Sequence, residues 1–214
     1  MDTGLNQHWS LRIIFILTAL FFFIAMGLGL FQSIREYHRL PPINSHYMPE
    51  ITSLIENEDY GMVIPQLELA STIDPADTEK NKKLLTKVCS VAAQSLIKAG
   101  HFEEAIVQYD KAYFASPDSI DVQNNLAWLL ATCPDGGLRD ATRAIKLAGQ
   151  AAQSTRYADP SMLDTLAAAY AESGAFDKAI DIQRKAIALT SVASRDDLQK
   201  RLNLYLAGRA YHSP

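Results

Sequence analysis

Two octapeptides restrict the fold of this chain more than any bulk property does: AGHFEEAI at residues 99–106 and SGAFDKAI at residues 173–180. Each runs small residue, Gly, any residue, Phe, acidic, charged, Ala, Ile. NEDYGMVI at residues 57–64 is a fainter copy, with Tyr60 at the Phe place and Ile64 at the Ile place. Between the two strong copies, Ala144, Ile145, Ala148 and Ala151 reproduce the spacing of Ala105, Ile106, Tyr109 and Ala112. Aligning Ala105, Ala144 and Ala179 gives steps of 39 and 35 residues. A period near 34 residues with helix–turn–helix character marks a stacked repeat array, in which each unit buries its apolar face against the next.

Within the units the apolar pattern is helical, and no stretch alternates convincingly as a strand. Ala105, Ile106, Tyr109, Ala112 and Tyr113 share one helix face, and Ser116-Pro117 stops that helix. Leu163, Leu166, Ala167 and Tyr170 form another face, closed by Gly174. The alanines let neighbouring helices approach closely while larger side chains fill the gaps. After the last unit, Ser194 is placed to cap a helix with Asp197 as its partner three residues on. Leu198, Leu202, Tyr205 and Leu206 would form its buried face and Gly208 its end. Solenoids need such an atypical end helix to cover their last apolar surface.

These residues resemble the tetratricopeptide repeat (TPR) family. A repeat at about 86–119 carries Ala93, Gly100, Ala105, Tyr109, Ala112 and Pro117 at the family's positions. A repeat at about 160–193 carries Ala167, Tyr170, Gly174, Ala179 and Ala186, but has Gln183 where a large apolar residue is usual, and lacks the closing Pro. The repeat at about 120–158 contains CPDGG, a loop about five residues too long, in a form similar to some bacterial TPR proteins. The first repeat, about 44–77, is degenerate: Val63 replaces Ala, and Pro65 falls inside the expected second helix. TEKNKKLL, residues 78–85, is either an insertion or an extension of the following helix. The resemblance implies an all-α, TPR-type solenoid over residues 50–214, with a capping helix at 194–208.

Ahead of the repeats, Ile13–Phe31 is 19 residues without a charge. A helix of that length approaches the hydrocarbon thickness of a bilayer, roughly 30 Å. Trp9 and Tyr37 flank it as interfacial aromatics do. A cleaved signal peptide is the rival reading, with Ala25-Met26-Gly27 as its site, but the apolar run continues past that site. The expected order is a tail at 1–10, one transmembrane helix at 11–33, and a juxtamembrane linker at 34–49 that Pro41-Pro42 keeps from being helical. Arg12 on one flank and Arg35 and Arg39 on the other leave orientation weakly encoded. A single span after a short tail favours a bacterial inner-membrane protein with its body in the periplasm. Ala25 and Gly29 have the spacing that brings membrane helices together, a pattern that also arises by chance.

Beyond Ile43 there are 17 basic and 22 acidic residues and no basic stripe, which argues against nucleic acid as a partner. No nucleophile elbow, phosphate loop, dinucleotide fingerprint or zinc spacing occurs, so no enzymatic role, cofactor, metal or small-molecule substrate is expected. Cys89 and Cys133 fall about 15 Å apart along neighbouring first helices, too far for a disulfide, so two free thiols are expected. The resemblance places the functional surface on the first helices: Lys87, Ser90, Gln94 and Lys98, then Asp121, Asn124, Trp128 and Ala131, then Asp164 and Glu172. Of these, Lys87, Gln94, Asn124, Trp128 and Asp164 are the candidate protein-binding residues. Asn124 and Trp128 are one turn apart and would form an amide–indole peptide clamp, or Trp128 would pack between helices. The chain therefore reads as a membrane-anchored scaffold for protein or peptide partners. The rival reading is a fixed accessory subunit of a membrane complex.

Overall fold

Gly100 and Gly174, the second residues of the two strong octapeptides, adopt φ of 81° and 80°. In both turns the amide three residues beyond the helix reaches back to a carbonyl five residues earlier: His101 to Leu96 at 2.8 Å, and Ala175 to Tyr170 at 2.9 Å. Only glycine enters this left-handed region without a Cβ penalty, so the two copies build one turn twice. The computed structural model describes residues 60–73, 78–191 and 195–214. These form eight α-helices: α1 (Tyr60–Ile73), α2 (Thr78–Lys98), α3 (Phe102–Ala115), α4 (Ile120–Thr132), α5 (Ala141–Ser154), α6 (Pro160–Glu172), α7 (Phe176–Leu189) and α8 (Arg195–Leu206). No strand occurs among the described residues. The expected tail, span and linker, the start of the first repeat and the Ser194 cap lie outside them; among the described residues no helix is long and apolar enough to cross a membrane.

Each helix packs on the next in sequence, and α4 also packs on α6, so two first helices lie side by side. The residues at the contacts are the aligned alanines. Ala93, Ala105, Ala112, Ala144, Ala148, Ala151, Ala167, Ala171, Ala179 and Ala186 are all buried, with Leu126, Leu130, Leu163 and Tyr109 filling the space between them. The 78–85 run extends α2 to 21 residues. Helix α1 runs through Pro65. A ring there costs helix stability, and the burial of Val63, Ile64 and Leu67 offsets it.

The long loop of the middle repeat is held by its own side chains. Asp135 accepts from the Gly137 amide at 2.8 Å over a short 3₁₀ turn, Gly136–Leu138. Asp140 then caps α5 by accepting from Arg143 N at 2.9 Å. Asp159 does the same for α6, with Pro160 in its first turn, where a missing N–H costs nothing. The end helix departs from expectation at one residue. Leu202 and Tyr205 are buried and Leu198 is half-buried, but Leu206 is 54% exposed, because it is the last residue of α8 and has no further helix to pack against.

Both cysteines are buried free thiols, as the helical spacing requires. Burial pushes the Cys89 thiol up to about 12; the Lys111 ammonium opposes the shift and the Glu68 carboxylate adds to it. Burial also raises Tyr109, against the hydrogen bond from Gln94. As pH rises above the ordinary thiol value of 9.0, the unfolded chain loses the Cys89 proton while the folded chain keeps it. Stability should therefore fall between pH 9.0 and about 12, by up to roughly 1.4 kcal/mol per pH unit for this group. Urea melts across that window should show the decline, and Cys89→Ala should flatten its lower part; an unchanged slope would remove Cys89 as its source.

Candidate functional site

The first-helix face is organised by Arg201, which α8 points back toward α6. Its Nε and Nη2 donate to Asp164 Oδ1 and Oδ2 at 2.8 and 2.6 Å. Gln183 on α7 donates from Nε2 to the same Oδ1 at 2.7 Å and to the Leu198 carbonyl at 3.1 Å. One carboxylate thus joins three helices. The pair is shielded, with side-chain exposures of 12% for Arg201 and 10% for Asp164. A carboxylate removed from water needs this degree of hydrogen bonding to remain charged. Tyr205, buried next to it, is raised by burial and by the Asp164 carboxylate, against the Arg201 charge.

The outer surface of the same guanidinium lies over two rings, 5.3 Å from the Trp128 centroid and 5.4 Å from that of Tyr211. The rings themselves are 5.8 Å apart. Tyr211 belongs to the segment after α8, which turns at Gly208 (φ 65°) and runs back over α4 and α6. Along it, His212 Nε2 meets Glu172 Oε2 at 2.7 Å, and the Ser213 amide donates to the Thr132 carbonyl at 2.8 Å. Glu172 Oε1 accepts from Arg139 Nε at 2.7 Å, which ties the long loop to the same corner. Arg139 also donates to the Cys133 carbonyl at 2.8 Å. Gly136 lies under this guanidinium, and a Cβ there would stand 3.0 Å from it.

Beside Trp128 a cleft of about 190 Å³ opens between α2, α3 and α4, lined by Gln94, Ile97, Phe102, Tyr109, Asn125, Trp128 and Thr132, with Ser213 on one wall. Two of the expected binding residues, Gln94 and Trp128, meet there. Lys87 is exposed on α2, two turns before Gln94. Asn124 is buried, and its Oδ1 has no hydrogen-bond partner among the described residues; the neighbouring Asn125 is the one that lines the cleft. Asp164 is buried and engaged by Arg201 and Gln183 rather than open to the groove. Trp128 is half-buried and packs on Arg201 and Tyr211, a contact that neither expected alternative contained. Sequence reading missed Arg201, Thr132, Tyr211 and Ser213. The one signal pointing toward them was Gln183, polar where the repeat pattern wants an apolar side chain.

The fold is an all-α array of stacked helical hairpins, the architecture that the resemblance to tetratricopeptide repeats implies. Solved structures with this architecture include the MamA RS-1 ArsTM double mutant, which is 14% identical, with a TM-score of 0.54 over 75% of this chain and 82% of its own. MamA from AMB-1 and MamA from MSR-1 also align, at 18% and 16% identity and TM-scores of 0.46 and 0.45, each over 76% of this chain and 92% and 94% of theirs. No family model matches the sequence, and no match is found among curated proteins.

Replacing Asp164 by Ala should destabilise the fold by about 3–5 kcal/mol, because Arg201 is left buried without its counter-charge. Joint replacement, Asp164→Leu with Arg201→Met, should cost far less. Urea melts of the single and double variants measure this; equal losses in both would show that the pair's charge is not what the helices depend on.

Proposed function

We propose that this chain is a scaffold that binds protein partners along its first-helix groove and is held at a membrane by residues 11–33. The observation that carries this reading is the cleft beside Trp128. It brings an aromatic ring, the amides Gln94 and Asn125, and the Thr132 hydroxyl to one concavity. Aromatic surface with a few amide donors and acceptors suits an extended peptide, whose backbone must be hydrogen bonded wherever it is buried. The reading is non-catalytic. The partners would be membrane or envelope proteins, because the anchor keeps the array within reach of them. The array would face the periplasm, and a reporter that works only after export should be active when fused after Pro214; silence there would place it in the cytoplasm.

A fixed subunit of a membrane complex is the second reading. It is favoured by an apolar cavity of about 820 Å³ among α1, α2 and α3, next to Phe114, which is 89% exposed. Mild detergent extraction at native abundance separates the two. A constant stoichiometric companion favours the subunit, and a varying set of partners favours the scaffold.

The paired substitution Asn125→Ala with Trp128→Ala should weaken capture of such partners by about 2 kcal/mol or more, the usual size of an aromatic hot spot. The helical melt should stay near that of the native chain. A collapsed melt with undiminished capture by the folded fraction would assign both residues to packing.

A further inference from the structure

We propose that the segment Ala210–Ser213 is a resident ligand of the groove, and that a partner binds by displacing it with an extended segment of like chemistry: an aromatic residue, then a basic or imidazole residue, then a free backbone N–H. This rests on the groove being the recognition surface. Three successive residues of the segment engage three different groups of the face. The Tyr211 ring meets Trp128 and Arg201, His212 meets the Glu172 carboxylate, and Ser213 meets the main chain and hydroxyl of Thr132 at 2.8 and 3.1 Å. Thr132 is the last residue of α4 and Glu172 the last of α6. The final carbonyls of a helix have no partner within it, so the Thr132 carbonyl is an acceptor awaiting an N–H from elsewhere. Glu172 and Trp128 add a negative charge and an aromatic surface at fixed distances from it. A side-on, extended peptide satisfies all three at once, and the chain's own segment does so here.

The segment is built to leave. It has no regular secondary structure, Arg209, His212 and Pro214 are exposed, and beyond the packing of Ala210 and Tyr211 on the cluster of Ala167, Ala171, Ala179 and Tyr205 its hydrogen bonds number few beside those of any helix. Its departure need not disturb the groove, because Asp164, itself bonded by Gln183, holds Arg201 and Arg139 holds Glu172 independently of it. The cleft beside the segment is lined by Gln94, Phe102 and Asn125 as well as by Ser213. An incoming peptide can seat there before Tyr211 lets go. Tethered in the same chain, the segment competes at an effective concentration in the millimolar range, so only partners that outcompete that local supply would bind.

The test uses the full chain, in detergent, and a fluorescent peptide of sequence GRAYHSP, matching Gly208–Pro214 and capped at both ends. Tyr211→Ala with Ser213→Pro removes the ring contact and the N–H donor while leaving the groove intact. That variant should bind the peptide at least tenfold more tightly than the native chain by fluorescence anisotropy, and adding Trp128→Ala should abolish the gain. Equal binding by both chains, or none by either, would overturn the proposal. Hydrogen exchange on the native chain gives a second reading that does not depend on the variant folding. The Ser213 amide should exchange orders of magnitude faster than buried amides of α6; exchange only with global unfolding would make the segment a fixed brace and refute displacement. A freed groove that takes the peptide yet captures no membrane partner would support this inference and count against the scaffold reading. A partner captured equally by the native and freed chains would do the reverse.

Discussion

The close approach of helices at alanine is the constraint on which the rest of this structure depends. Where Ala105, Ala144 and Ala179 recur, a second helix lies against the first with no side chain between the backbones, and larger residues such as Tyr109 and Leu147 fill the flanks. That spacing allows α4 and α6 to lie side by side and present a common face. The first-helix face is thus set by residues that are themselves inaccessible. Any bulk added at one of these positions would misalign the face one repeat away before it altered any group on it.

On this framework Arg201 has two roles that a single lysine could not combine. The planar guanidinium donates in parallel to both oxygens of Asp164 and offers its flat surface to Trp128 and Tyr211. The same group thus bonds a buried carboxylate and supports the two rings. Gln183 supports the arrangement from α7, so the residue that breaks the repeat pattern does so to satisfy a carboxylate. The last repeat and the end helix are consequently joined by polar bonds as well as by apolar packing.

What could be read from the sequence is what depends on near neighbours. Gly100 and Gly174 announce their turns because a positive φ is a local demand, and the helix faces follow from spacing alone. The two thiols were legible as unpaired because helix rise fixes their separation. The site was legible only in part. Gln94 and Trp128 meet in one cleft, but Asn124 turns inward and Asn125 takes the outer place, a difference of one residue that a helix of uncertain rotation cannot resolve. The repeat register puts Asp164 on the groove, but its partner Arg201 lies 37 residues away, on a helix whose docking angle no local pattern encodes. The return of residues 210–213 over α4 depends on that same docking and left no periodic trace. Residue Leu206 shows the limit from the other side: spacing assigns it to a face, but only a neighbour could bury it.

The buried thiols have a practical consequence. The whole sequence contains two cysteines, both buried, Cys89 among packed helices and Cys133 at the wall of the cleft, and burial raises both thiols. A third cysteine introduced at an exposed position, such as Arg209, would therefore be the one sulfur that reacts quickly with a maleimide. A spectroscopic label could then be placed on the segment crossing the groove without first stripping the native cysteines, and its movement followed in the otherwise unaltered chain.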